Sequence, residues 1–117
     1  MEDDYREPTR FEREILARLT DLSGSGDDIR EQIASCRVRT IAEYGDHRGT
    51  FEIEMPGSYS KRGLKVLADA VAHDIDGAPI EAILFASNER ICEVEILRLD
   101  GSPILRMPQP TEFDLFV

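Results

Sequence analysis

The sequence predicts an α+β fold: two N-terminal helices packed on a five-stranded, mainly antiparallel sheet, with an extended, proline-containing C-terminal tail. Three observations carry this expectation. Apolar residues recur at helical spacing early in the chain, the period changes to alternation at Cys36, and the alternating runs that follow are separated by short turn signals. Helices gathered before a run of strands point to segregated layers rather than to βαβ units. Strands joined this closely favour antiparallel neighbours.

Thr9 followed by Glu12 is the pattern of a capping box, in which each side chain satisfies an orphan amide of the first turn. A helix from about Thr9 to Leu22 follows, because Phe11, Ile15, Leu19 and Leu22 share one face and Leu16 widens it. Ser23-Gly24-Ser25-Gly26 ends it, since glycine accepts the left-handed conformation that closes helices. Asp27 or Asp28 is expected to cap a shorter helix in which Ile29 and Ile33 share a face. Neither helix has a second apolar face, so each must pack on something else. Residues 1–8, beginning MEDDYRE, are expected to be loose, and residues 9–117 to form one domain.

In the first strand Cys36, Val38, Thr40, Ala42 and Tyr44 point one way, and Arg37, Arg39, Ile41 and Glu43 the other. After a loop from Gly45 to Gly49, Phe51, Ile53 and Met55 face inward with Glu52 and Glu54 outside. A one-residue slip would bury those glutamates, so parity restricts the register. Setting Thr40 opposite Phe51 creates two cross-strand ion pairs, Arg37–Glu54 and Arg39–Glu52; a two-residue shift leaves Arg39 opposite Glu54.

A third strand, Leu64 to Ile75, and a fourth, Ala78 to Ala86, meet at Asp76-Gly77, a dipeptide suited to a two-residue hairpin turn. That turn pairs Asp69 with Leu84 and Ala70 with Ile83. Apolar residues on both faces mark these strands as central. Ser87-Asn88-Glu89-Arg90 turns the chain into a fifth strand, Ile91 to Leu99, with Phe85 opposite Cys92 and Leu84 opposite Glu93. Asp100-Gly101-Ser102-Pro103 is a further turn, and Pro108 and Pro110 hold the tail extended as a cover for a sheet edge.

The 24 acidic residues outnumber 14 basic ones and give a formal charge of −10 over 117 residues. Phosphate repulsion argues against nucleic acid or an anionic membrane as partner. The chain has no apolar run of membrane-spanning length, and its acidic start is unlike a secretory signal, so the cytoplasm is the expected location. Cys36 and Cys92 are too few and too far apart for a disulfide or zinc framework and read as small core residues. His47 lies in a loop, and no serine or cysteine stands in a nucleophile motif. Lys61 and Arg62 read as part of a solvated loop. His73-Asp74-Ile75-Asp76 offers metal-type ligands, but the rest of a calcium loop is missing and a hairpin turn accounts for the same residues. No catalytic residue, metal or cofactor is assigned.

The candidate binding site is a set of three carboxylates. Asp69, Glu93 and Glu95 fall on one face of the sheet in the expected register, with Asp69 and Glu93 flanking Leu84 in one row. Carboxylates set among apolar neighbours can bind a basic partner, and partial burial would raise their pKa values. The plainer reading is a half-solvated face. A homodimer through the apolar strands around Ile80 to Phe85 is the alternative assembly.

Glu93-Val94-Glu95-Ile96, Arg98-Leu99-Asp100-Gly101-Ser102-Pro103 and Pro108-Gln109-Pro110 give the chain a further property: over about residues 64 to 115 it resembles a family of small uncharacterised bacterial proteins. Some members of that family are associated with polymorphic-toxin loci, where small acidic proteins act as immunity factors. The resemblance implies a binding role and no catalytic residues. Where relatives often carry an aromatic residue in the strand, this chain has Ile96 and Leu97.

Overall fold

The computed structural model describes residues 5–24, 26–41, 49–55 and 63–115. His47, Lys61 and Arg62 lie outside the described residues. Helix α1 spans Arg10–Ser23 and α2 spans Asp27–Ser35. Six strands follow: β1 Val38–Thr40, β2 Phe51–Ile53, β3 Lys65–His73, β4 Pro79–Ser87, β5 Arg90–Arg98 and β6 Asp114–Leu115. They form one sheet in the order β1-β2-β5-β4-β3-β6, with every neighbouring pair antiparallel.

Local signals built the helices as expected. Thr9 and Glu12 form the reciprocal capping box, and Gly24 closes α1 in the left-handed region at φ 71°. At α2 the expectation fails, because Gly26 is the N-cap and Asp27 and Asp28 lie in the first turn. There their negative charge faces the exposed amides of the helix start, and Asp28 accepts from Gln32 Nε2.

The apolar stripe of α1 packs on one face of the sheet. Ile15, Leu16 and Leu19 join Ala68, Ala70, Ala72, Ala82, Leu84, Val94 and Ile96 in the buried core. Ile29 and Ile33 of α2 pack against the same cluster. The alanines of β3 leave room for a helix to approach, while the larger Leu84, Val94 and Ile96 fill the space beyond them. Gln32 anchors α2 by accepting from Ile91 N and donating to Glu89 O. Thr50 extends the β2–β5 pairing through its hydroxyl, which accepts from Ile96 N and donates to Ile96 O.

The first hairpin takes the first of the two registers that parity left open, with Thr40 opposite Phe51 and Arg39 opposite Glu52. Arg39 pairs with Glu52, and Arg37 lies 3.8 Å from Glu54. The β3–β4 hairpin is different. His73 pairs with Pro79 and Asp69 with Ile83, so the connection is the longer segment Asp74 to Ala78, and a bulge between Val66 and Ala68 shifts the pairing again. The turn at Asn88 and Glu89 is where it was expected, with both residues at positive φ, but a bulge between Phe85 and Ala86 sets Leu84 opposite Val94 and Phe85 opposite Glu93. A one-residue slip exchanges the two faces of a strand. Leu84, Ala82 and Ile80 therefore belong to the core, and Ile83 and Phe85 face the other way.

The tail is a sixth strand rather than only an extended cover. Asp114 pairs with Val71 and Leu115 with Ala70. Phe113 is fully buried in the core, and Arg18 of α1 donates to Phe113 O and Asp114.

One buried ionic knot fixes the path of that tail. Arg98, at the end of β5, donates to Asp74, Asp76 and Asp100 at 3.0, 2.9 and 2.6 Å, with its side chain 6% exposed. Asp74 also accepts from the amides of Ile75, Leu105 and Arg106. Burial would push its carboxyl up, but those three amides and the Arg98 guanidinium outweigh it and hold the group down at about 2. Arg98 likewise holds the Asp100 carboxyl below its ordinary range, aided by the Ser102 amide.

Candidate functional site

The face of the sheet turned away from the helices is a lattice of carboxylates and apolar side chains. Three rows cross it. The first runs Arg39, Glu52, Glu93, Phe85, Val66; the second Glu95, Ile83, Asp69; the third Leu97, Glu81, Val71. Because successive residues of a strand alternate faces, these side chains stand opposite the core residues Val94, Leu84 and Ala70. In β4 and β5 they are half-buried while their neighbours on the other face are buried, an alternation that runs from Ile80 to Leu97 apart from the turn and its bulge.

The three residues read from the sequence, Asp69, Glu93 and Glu95, do share this face. Their neighbours differ from the expectation: Asp69 and Glu95 flank Ile83 in one row, and Glu93 stands beside Phe85 in the next. Glu81 is the member that the sequence reading missed. It sits diagonally across from Asp69, and its carboxyl is pushed up to about 7, first by burial, then by the hydrogen bond with Asp69 and by the charges of Asp69 and Glu95. Asp69 Oδ1 is buried and has no hydrogen-bond partner among the described residues.

Of the other groups considered from the sequence, Asp74 and Asp76 are occupied by Arg98, while His73 shares the face of Asp69 and Val71 and is exposed at the end of β3, diagonal to Glu81. Among the described residues no group of three or more His, Cys, Asp and Glu side chains could hold a metal ion. Cys92 is buried, and Cys36 is half-buried against the core with its thiol pushed up by burial. A cavity of about 100 Å³ beside Cys36 is lined by Gln32, Arg37 and Arg90, away from the carboxylate lattice. No helix among the described residues is long and apolar enough to cross a membrane.

Fold and surface together define an α+β domain that carries its helices on one face of an antiparallel sheet and an acidic, partly apolar surface on the other. The chain belongs to the family described as a domain of unknown function, DUF6984, whose model matches residues 5–108. The match takes in both helices and strands β1 to β5 and stops before β6. No curated protein and no solved structure matches the chain.

Proposed function

We propose that this domain is a non-catalytic protein-binding module whose carboxylate-bearing sheet face docks a basic partner. The observation that carries the reading is the interleaving of Asp69, Glu81, Glu93 and Glu95 with Val71, Ile83, Phe85 and Leu97 on that face. Apolar side chains supply contact area, and carboxylates select a partner of opposite charge and speed its approach. The formal charge of −10 works in the same direction. A second copy of the chain fits this face less well, because pairing two such faces opposes carboxylate to carboxylate. The resemblance to a family some of whose members are associated with polymorphic-toxin loci supports a basic toxin as that partner, with this chain in an immunity-type role.

A short peptide of alternating lysine and valine is a defined probe of this surface. Titrated calorimetrically, it is expected to bind with an affinity that falls at least fivefold between about 50 and about 300 mM salt, as screening shortens the reach of the carboxylates. No binding at low salt, or binding indifferent to salt, contradicts the reading.

A further inference from the structure

Within the carboxylate lattice one point lacks a donor. Asp69 and Glu81 lie on adjacent strands in diagonal positions, Asp69 opposite Ile83 and Glu81 opposite Val71. Diagonal cross-strand positions on one face bring long side chains within reach of one another, yet two ionised carboxylates are acceptors only. Asp69 Oδ1 is buried from solvent and accepts from nothing among the described residues. A buried acceptor without a donor is costly. The contact between the two groups is therefore satisfied only when a proton or another cation lies between them.

Among the described residues the surroundings supply no such cation. Glu95 of β5 lies in the row of Asp69, beyond Ile83, and Glu93 lies one row further along. His73 occupies the other diagonal from Glu81 on β3, where it is exposed. Asp114 of β6 stands opposite Val71 and is engaged by Arg18. On the β1 side, Arg39 is committed to Glu52. Both helices pack on the opposite face.

We propose that the Asp69–Glu81 pair receives a single lysine ammonium or arginine guanidinium of the docked partner, which takes the place of the proton held by the free pair. The inference rests on the docking role of this face and adds its point of recognition. Docking then releases a proton. Free Glu81, with its carboxyl at about 7, holds that proton below neutrality, so affinity for a cationic partner rises with pH up to about 7 and levels off above, by at most about tenfold per pH unit.

The lysine–valine peptide tests this by calorimetry between about pH 5.5 and about pH 8, in buffers of different ionisation enthalpy. The expected result is proton release on binding at the acid end, and an affinity at least fivefold higher at the alkaline end. Glu81→Gln and Asp69→Asn are expected to bind more weakly at the alkaline end and to lose the pH dependence. Carboxyl-carbon NMR of the free protein is expected to show Glu81 titrating near neutrality. A wild-type affinity that is flat with pH, but still weakened by charge reversal at Glu93 and Glu95, overturns the recognition point and leaves the docking face standing. Failure of the peptide to bind at any pH overturns both.

Discussion

Asp74→Ala is expected to lower the thermal midpoint by roughly 10–20 °C, the largest single-residue effect on the stability of this domain. The carboxylate is the acceptor for Arg98 and for the amides of Ile75, Leu105 and Arg106 at once. Removing it leaves a buried guanidinium short of one partner and frees the start of the tail that leads to Phe113 and β6. Scanning calorimetry checks the value; a shift within a few degrees of wild type would mean that Asp76 and Asp100 hold the knot without it. The pH response has a definite sign. Because the folded carboxyl lies at about 2, below its ordinary 3.8, the stabilisation is complete above pH 4 and is lost as pH falls through about 2.

The largest expected effect on binding comes from reversing charge on the open face. Glu81→Lys combined with Glu95→Lys is expected to weaken the lysine–valine peptide about a hundredfold, near 3 kcal/mol, because each change deletes an attraction and installs a repulsion. The fold should tolerate both. The two positions are half-buried on the face away from the core, and each lysine would gain a carboxylate neighbour in Asp69 or Glu93. Glu81 by itself makes the same point from the stability side. A carboxyl whose folded pKa is raised from 4.5 to about 7 weakens the fold as pH rises through that range and costs nothing below it. Glu81→Gln should therefore melt higher than wild type at about pH 8 and alike at about pH 4.

The helices were legible in the sequence because their signals are local. The capping box at Thr9 and Glu12, the period of Ile15, Leu16 and Leu19, and the left-handed Gly24 lie within a few residues of what they determine. The first hairpin was legible down to two registers, because charge parity excluded one-residue slips. Both pair Arg39 with a glutamate, so the ion pairs do not choose between them, and the structure takes the one with Arg39 opposite Glu52. The next two hairpins were not legible. Asp76-Gly77 has the chemistry of a two-residue turn, but Asp74 is drawn inward by Arg98, 24 residues later, and by the amides of Leu105 and Arg106, so the loop opens to five residues. Nothing near Asp74 announces that. The bulges beside Val66 and Phe85 add further one-residue shifts, and with them the faces of β4 exchange. One signal was available: Glu81 is the sole charged residue of Pro79–Ser87, and it marks its parity, shared with Ile83 and Phe85, as the solvent side. The two-residue β6 has no period to read.

The docking claim is tested most directly by locating the peptide on the protein. In amide-correlation NMR at about 50 mM salt, the lysine–valine peptide is expected to perturb Asp69, Val71, Glu81, Ile83, Glu93, Glu95 and Leu97, and those shifts should shrink as salt rises. Perturbations confined to the helical layer, or spread evenly over an acidic surface, would contradict the account.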